Sequence, residues 1–487
     1  MSEVSLGRAT LLLLLCRVGG YALALVNSII LARALGADRL GAYAYAMGLA
    51  ALFGLLPNFG LNTVVTRAVA QLPNTWNATF RAAIRAQAWL AGIALVAIPV
   101  FAAVLPAQPV PIGYVVLAAL QMTIGILSWP YLAVLAGHSR FDRVATIELV
   151  AGVLGTAALL GAVVLQGGVV AVLSAHVLAS VCAVLMAKRV AQPFLDPGLV
   201  TPVGTIAILR QAAPFGAVAV AQSLYTRMDI LLLGQMASTV AVGLYSVAYK
   251  PTNMIVYLGG TLAVTLFPLM AMAPQTGTPI PFQQAMRWLG SVGPAVALVL
   301  TGFAGPVLQL LYGAEYVAAA PILAVLAWSV VANWLYAPLG TALQARGQER
   351  WWLASMVGAL LLNGAVNFWA IPRWGGLGAA VATLVSEAFL LSVGVLLAGR
   401  SLGMVSPFKP IAVGLGATAL SGVVLWVLQG EGTGVATLAA LVVYVGFLIG
   451  CKGITAADMR FVFGLLRGGS VSAMASGAAG SSRIGSM

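Results

Sequence analysis

The sequence predicts an all-α, polytopic membrane protein with about 14 transmembrane helices. Apolar residues make up 61% of the 487 residues, and charged residues make up only 7%. A soluble chain of this size carries about a quarter charged residues. Apolar stretches of about 20 residues follow one another almost without interruption, and this is the length that crosses a bilayer core.

Each predicted helix is an apolar stretch bounded by charged residues or by Gly and Pro. The connections between them are too short to hold a soluble domain. In chain order the expected spans are 9–32, 41–66, 84–105, 112–136, 146–165, 168–187, 207–235, 242–272, 284–310, 320–344, 352–371, 376–398, 410–428 and 434–451.

The basic residues predict the orientation in the membrane. With a cytoplasmic N-terminus, most of the 24 Lys and Arg residues fall on the cytoplasmic side, and the outer loops hold only Arg33, Arg39 and Arg373. This asymmetry follows the positive-inside rule, so both termini are expected in the cytoplasm. The net charge of +13 needs no nucleic-acid partner, because basic side chains on this side lie against anionic membrane lipids.

Two short segments recur along the chain and indicate an internal duplication. Residues 40–46 resemble 242–248 at an offset of 202, and 137–140 resemble 347–350 at an offset of 210. Six helices per copy give both copies the same orientation, related by an axis along the membrane normal. The expected domains are six-helix bundles at 1–200 and 201–405, two extra helices at 406–453, and a partly disordered cytoplasmic tail at 454–487.

Polar residues within the spans are the candidate functional residues, because a charge at the bilayer centre costs about 2.5–3.5 kcal/mol on insertion scales. In the first span Arg17, Tyr21 and Asn27 share one helical stripe. In the seventh span Tyr225 and Asp229 share another. Asn27 and Asp229 are equivalent at the offset of 202. We expect both stripes to face a cavity.

The roles of these groups stay open between two interpretations. Arg227 and Asp229 are two residues apart and point to opposite sides of a helix, so no ion pair is expected between them. Asp229 is then an interhelical tie or a cavity-facing ion or proton site. Arg17 is a similar tie or an anchor for an anionic substrate. Glu387 and His176 fall at nearly equivalent repeat positions, and for His176 an interhelical hydrogen bond is favoured over a proton relay.

Catalytic and cofactor motifs are absent from the sequence. It contains no phosphate-binding loop for ATP and no complete dinucleotide fingerprint. Two His and three scattered Cys give no metal site. The predicted outer loops are about ten residues or shorter and hold no paired carboxylates. The sequence therefore predicts a transporter without enzymatic activity or cofactor.

Short motifs rich in Gly, Pro and aromatic residues follow one another along residues 8–400. They are Leu35-Gly36 through Gly41-x-Tyr43, Phe59-Gly60-Leu61 followed by Arg67, Pro214, Asp229-Ile-Leu-Leu-Leu-Gly234, Gly243-x-Tyr245-x-x-Ala248, Phe267-Pro268, Tyr312-Gly313-x-x-Tyr316-x-x-Ala319 and Trp374-Gly-x-x-Gly378-Ala-Ala-x-Ala-Thr383. In order and spacing they resemble the polysaccharide flippases of the multidrug/oligosaccharidyl-lipid/polysaccharide exporter superfamily, above all the O-antigen and exopolysaccharide flippases.

This resemblance implies a V-shaped pair of six-helix bundles in a bacterial inner membrane. It implies alternating access, often ion-coupled, that turns a polyprenyl-pyrophosphate-linked oligosaccharide from the cytoplasmic to the outer leaflet. The product serves cell-surface polysaccharide synthesis, lipopolysaccharide included, beside glycosyltransferases and a polysaccharide polymerase. Related peptidoglycan-precursor flippases carry several arginines in their first helices. Here the first span holds only Arg17, which disfavours a peptidoglycan role.

The same resemblance suggests roles for the polar residues. A pyrophosphate in a low-dielectric cavity needs fixed cations, and the sugar needs polar, aromatic-lined space. The expected substrate-binding residues are Arg17, Tyr21, Asn27, Tyr225, Arg227 and Lys250, and the expected ion-coupling residues are Asp229 and Glu387. The alternatives are a cation-coupled multidrug exporter of the same superfamily and, less favoured, a membrane glycosyltransferase or polymerase.

Overall fold

The computed structural model describes residues 3–54, 56–71, 76–195, 204–272, 280–402, 408–428, 430, 432–451 and 453. Within these ranges the structure is helical throughout, apart from turns and two short 3₁₀ helices, Gln192–Phe194 and Ala314–Ala319. The expected tail at 454–487 lies outside the described residues. The α-helices are α1 (Glu3–Gly54), α2 (Leu61–Gln71), α3 (Trp76–Val104), α4 (Ile112–Ile126), α5 (Trp129–Gly137), α6 (Phe141–Val164), α7 (Gly168–Ala191), α8 (Thr205–Met236), α9 (Thr239–Met272), α10 (Ile280–Gly302), α11 (Ala304–Tyr312), α12 (Ala320–Ala345), α13 (Glu349–Trp374), α14 (Gly376–Leu402), α15 (Phe408–Val427) and α16 (Thr433–Gly450).

These helices correspond in order to the expected spans. Helix α1 covers the first span and about half of the second, because only a kink at Gly36 (φ 72°, ψ 171°) separates its two arms. A side chain would strain this backbone, and glycine adopts it freely. The second span continues into α2 after a turn that holds Phe59 and Gly60 at positive φ. The outer loop expected at 33–40 is therefore a tight helical junction.

Nine helical segments in the described part of the chain are long and apolar enough to cross a membrane, and two shorter apolar segments, Ala412–Val427 and Gly434–Gly450, belong to α15 and α16. Large apolar side chains such as Trp89, Val164 and Trp426 are exposed. Such exposure is expected where the surrounding medium is lipid. The predicted fold class, an all-α polytopic membrane protein, is confirmed.

The chain divides into two compact units. The first unit comprises Arg8–Ser246. In it α7 packs against α4 and α6, α3 packs against α4, and α2 packs against α5 and α8. A core at one end joins α2, α3, α5 and α8, and its fully buried members include Leu61, Ala83, Val134 and Ala212. The division into six-helix bundles at 1–200 and 201–405 stays a prediction.

The second unit comprises the described residues of Val247–Met487 together with those of Met1–Gly7. Helix α12 lies at its centre and packs against α10, α13 and α14. Helices α15 and α16 pack against each other and against α10. Small and polar residues make this contact close: the Tyr444 hydroxyl donates to the Ser291 carbonyl oxygen at 2.6 Å, and a Cβ on Gly414 would collide with the Gly290 carbonyl oxygen. The two extra helices are thus held by the second unit.

A proline interrupts the fourth span between α4 and α5. Pro130 has no backbone N–H, so it cannot supply the helical hydrogen bond to the carbonyl oxygen of Ile126, four residues earlier. The side-chain amide of Gln87, on α3, donates to that oxygen instead at 3.1 Å. Gln87 is fully buried. Away from water a freed carbonyl must find such a partner, and this one fixes α3 to the break.

Two repeat-equivalent glycines bring α1 and α9 into close contact within the first unit. A Cβ on Gly41 would collide with the carbonyl oxygen of Thr239, and a Cβ on Gly243 would collide with that of Ala37. At the offset of 202, Ala37 corresponds to Thr239 and Gly41 to Gly243. The Thr239 hydroxyl also donates to the carboxylate of Asp38. Small residues four apart on both helices permit this approach of two backbones.

Candidate functional site

The expected ion-coupling residue Asp229 lies in a buried pair. Its side chain is 6% exposed, and the hydroxyl of Tyr245, 1% exposed, donates to its Oδ2 at 2.7 Å. The two residues lie on α8 and α9, either side of the turn at Ala237 and Ser238. A carboxylate removed from water needs donors of this kind, because an unsolvated charge is costly. The contact gives Asp229 a defined orientation between two helices.

The side chains that share the stripe with Asp229 run from exposed to buried along α8. Gln222 and Thr226 are exposed, Tyr225 is half-buried and Asp229 is buried. The Thr226 hydroxyl donates back to the Gln222 carbonyl oxygen at 3.0 Å. Arg227 is exposed, whereas Asp229 is buried, so the two side chains point in different directions. This geometry matches the spacing argument against an ion pair between them.

Helix α8 is joined to the second arm of α1 by further polar contacts. The buried hydroxyl of Ser223 donates to the Ala51 carbonyl oxygen at 3.2 Å. Near the other end, the side-chain amide of Gln235 donates to the Tyr45 hydroxyl at 2.6 Å and to the Ala107 carbonyl oxygen at 2.9 Å. The segment around Asp229 is therefore held at both ends.

The first arm of α1 carries three of the expected substrate-binding residues. The Arg17 side chain lies outside the described residues. Tyr21 and Asn27 are half-buried. The Oδ1 atom of Asn27 is buried and has no hydrogen-bond partner in the described part of the chain, although most buried acceptors have one. The Oδ1 of Asn27, the repeat equivalent of Asp229, is thus able to accept a further hydrogen bond.

The remaining expected residues belong to the second unit. Lys250 is exposed near the start of that unit. Glu387 on α14 is 7% exposed, and Asn333 on α12 donates to its Oε2 at 3.4 Å. The same Asn333 amide donates to the Tyr336 hydroxyl at 2.8 Å. Glu387, like Asp229, is a buried acid with a neutral polar neighbour on an adjacent helix.

Sequence reasoning missed the tyrosines of the repeated segment. Tyr43 and Tyr245 are equivalent at the offset of 202, and each contacts a titratable side chain. Tyr245 donates to Asp229, and the Tyr43 hydroxyl lies 3.3 Å from Nδ1 of His176 on α7. The signal was present in the repeat itself, because both tyrosines lie in its best-matching segment. No group of three or more metal-binding side chains exists among the described residues.

Comparison with known proteins identifies a family, a relative and a shared fold. Residues 6–273 match the family model described as "Polysaccharide biosynthesis protein". A curated relative, the probable low-salt glycan biosynthesis flippase Agl15 of Haloferax volcanii, is 26% identical over 170 residues. That alignment covers 34% of this chain and 36% of the relative, so the chain spans about a third of the relative's length.

Among solved structures, the lipid II flippase MurJ in an inward closed conformation has a TM-score of 0.73 at 11% identity, covering 91% of this chain and 99% of MurJ. An inward-facing multidrug resistance MATE transporter of the MOP superfamily has a TM-score of 0.54 at 16% identity, covering 79% of this chain and 94% of that one. Identities this low show a shared fold, and the fold is that of a transporter.

Proposed function

This chain belongs to the polysaccharide biosynthesis protein family, and from that membership we propose that it is a flippase for a lipid-linked glycan. It turns a polyprenyl-pyrophosphate-linked oligosaccharide from the cytoplasmic to the outer leaflet by alternating access. It does so in a bacterial cytoplasmic membrane, with both termini in the cytoplasm. The family match carries this proposal. The Agl15 relative, itself described as a probable flippase, and the MurJ-like fold support it.

The polar residues of the membrane helices take defined roles in this proposal. Arg17 binds the pyrophosphate, because the planar guanidinium matches phosphate oxygens with two parallel hydrogen bonds. Arg227 and Lys250 contribute further positive charge. Tyr21, Asn27 and Tyr225 provide the hydroxyl, amide and ring surfaces that a sugar needs. The prenyl chain stays in the lipid.

Asp229 and Glu387 are the proposed ion-coupling residues. Both are buried acids beside a neutral polar partner, Tyr245 and Asn333 respectively. A carboxylate in such surroundings changes its proton or cation affinity when its neighbours move, so it can couple an ion gradient to a change of access. Glycosyltransferases and a polysaccharide polymerase are the expected partners upstream and downstream of transport.

Reconstitution tests the proposed function. Purified protein is placed in liposomes that contain an NBD-labelled polyprenyl-pyrophosphate disaccharide, and impermeant dithionite is added. Without transport only the label in the outer leaflet is reduced. With the protein we expect nearly all of the label to become reducible. Arg17→Ala should abolish this gain, and Arg17→Lys should keep part of it, because lysine keeps the charge and loses the planar fork. No gain with wild-type protein would refute the proposal.

A cation-coupled drug exporter is the second candidate, favoured by the likeness to the MATE transporter. An exporter of cationic drugs favours acidic cavity residues, and this chain has only Asp229 and Glu387 well inside its spans. The same liposomes loaded with ethidium distinguish the two. Ethidium efflux without movement of the labelled lipid would favour the exporter.

A further inference from the structure

Two equivalent tyrosines of the repeat each contact a titratable side chain in the first unit. Tyr245 donates to the carboxylate of Asp229 at 2.7 Å. Tyr43, its equivalent, places its hydroxyl 3.3 Å from Nδ1 of His176, and the two rings are 5.9 Å apart at 46°. The proposed function uses Asp229 and leaves His176 without a role. The repeat therefore presents a second pair to be explained.

The repeat counterpart of Asp229 is Asn27, on the same helix as Tyr43. Asn27 precedes Tyr43 by the same 16 residues by which Asp229 precedes Tyr245. Asn27 and Tyr43 lie on the two arms of α1, either side of the kink at Gly36, as Asp229 and Tyr245 lie either side of the turn at Ala237 and Ser238. By the repeat we expect the two pairs to be placed alike. Tyr245 donates to Asp229, 16 residues earlier, whereas Tyr43 contacts His176. The Oδ1 of Asn27 is buried without a partner among the described residues.

We propose that the Tyr43–His176 pair is a second proton-binding site, in which protonation of His176 turns the Tyr43 hydroxyl to Asn27. While Nδ1 is unprotonated, it accepts the hydrogen of the Tyr43 hydroxyl. A proton taken from water makes Nδ1 a donor, so the Tyr43 oxygen must accept and its own hydrogen needs a new acceptor. The Oδ1 of Asn27 is such an acceptor, in the arrangement that Tyr245 and Asp229 already adopt.

The charged groups of α6 lie some distance along that helix from His176. Helices α6 and α7 are joined by a tight turn, so His176 lies level with about residue 156 of α6. Glu148 is then about 12 Å further along the axis, at 1.5 Å per residue. Asp142 and Arg143 lie beyond it, and Asp142 pairs with Arg140 at 3.1 Å. Charge from α6 therefore acts on His176 only at long range.

The other helices around His176 carry both neutral and charged side chains. On α4, Gln121 donates to Ser180 of α7 at 3.3 Å, one turn from His176. The further titratable side chains that the structure describes on these elements are Tyr114 on α4, Tyr131 on α5, Cys182, Lys188 and Arg189 on α7, and Tyr21, Arg33, Asp38, Arg39 and Tyr45 on α1. Tyr43 contacts the imidazole directly, at 3.3 Å from Nδ1. We therefore expect its choice of acceptor to have the largest effect on proton binding by His176.

The test is direct because the chain has only two histidines. Full-length protein carrying ¹⁵N-histidine is placed in phospholipid nanodiscs, and the imidazole nitrogen signals are followed from about pH 5 to about pH 9. His138→Gln assigns the two signals. We expect His176 to titrate in this range. Asn27→Leu removes the alternative acceptor and should lower the His176 midpoint by roughly 0.7 pH units, the size of one ordinary hydrogen bond.

Matched variants make the result decisive. Asn27→Asp provides a stronger acceptor and a negative charge with little change of shape, so it should raise the midpoint. Asn62→Leu removes another buried amide oxygen that lacks a partner within the described part of the first unit, and it should leave the midpoint unchanged. The proposal is overturned if His176 does not titrate, if neither Asn27 variant moves its midpoint, or if Asn62→Leu moves it equally. None of these readouts requires transport, so the result is independent of the proposed function.

Discussion

Gln87 donates its side-chain amide to the carbonyl oxygen that Pro130 leaves without a helical partner. The contact crosses from α3 to the break between α4 and α5. It explains why a fully buried glutamine is found in a membrane helix. It also explains why the proline does not leave the Ile126 carbonyl oxygen unsatisfied.

A double-mutant cycle tests this contact. Gln87→Leu should lower the free energy of unfolding by about 1–3 kcal/mol, because the Ile126 oxygen stays buried without a donor. In a Pro130→Ala background the backbone N–H of residue 130 can make that bond, so the same substitution should cost much less. Chemical unfolding in detergent gives the four free energies. Equal costs of Gln87→Leu in both backgrounds would contradict the explanation.

We predict that removing the charge of Asp229 abolishes the coupling of transport to an ion gradient and leaves the fold intact. Asp229→Asn keeps an oxygen that accepts from Tyr245 and removes the charge. We therefore expect a melting temperature near that of wild type and transport that no longer depends on a proton or sodium gradient. Asp142→Asn is the matched control, because Asp142 is an exposed acid outside this site. If Asp229→Asn transports with unchanged gradient dependence, Asp229 is an interhelical tie.

The orientation is tested by cysteine labelling of intact cells. In a background without Cys16, Cys182 and Cys451, a cysteine at Glu315 should react with an impermeant thiol reagent. Glu315 is exposed, in the short 3₁₀ helix after α11. A cysteine at Arg346, in the turn after α12, should react only after the cells are opened. The reverse pattern would overturn the predicted orientation and the direction of transport.

The close contact of Gly41 with α9 predicts a large effect of one added methyl group. Gly41→Ala should lower the free energy of unfolding by about 1–3 kcal/mol, because its Cβ meets backbone atoms that cannot move aside. A Cβ on Gly92, on α3, would meet no packed neighbour within 4 Å among the described residues, so Gly92→Ala should be neutral or slightly stabilising. Thermal unfolding of the two variants side by side checks the difference. Similar losses in both would show that the contact is loose.

The helices were predictable because their apolar stretches match the thickness of a bilayer. The positions where the helices are interrupted were less predictable. The joining of two spans at Gly36 depends on one backbone conformation that glycine allows and does not require. The break after Ile126 needed Pro130 to be combined with a partner on another helix. Spacing along one helix places residues on a face, but it does not say what that face meets.

The same limit applies to the candidate site. The stripe that contains Asp229 followed from helical spacing, and its equivalence to Asn27 followed from the repeat. The contact with Tyr245 depends on how two arms of a hairpin align, which the spacing within one helix does not determine. The pairing of Tyr43 with His176 joins residues 133 positions apart. Such a contact arises from tertiary packing, so helical spacing along the chain does not predict it.

The reciprocal packing of Gly41 and Gly243 has the form of a contact between two copies of one subunit. Each glycine meets the carbonyl oxygen of the residue four positions before its counterpart: Gly41 meets that of Thr239, and Gly243 meets that of Ala37. A surface of this kind is self-complementary, as in a two-fold symmetric dimer. A half-length chain carrying one such glycine would therefore present the same surface to a second copy. Fusion of the two copies would keep that interface and leave Asn27 and Asp229 free to diverge.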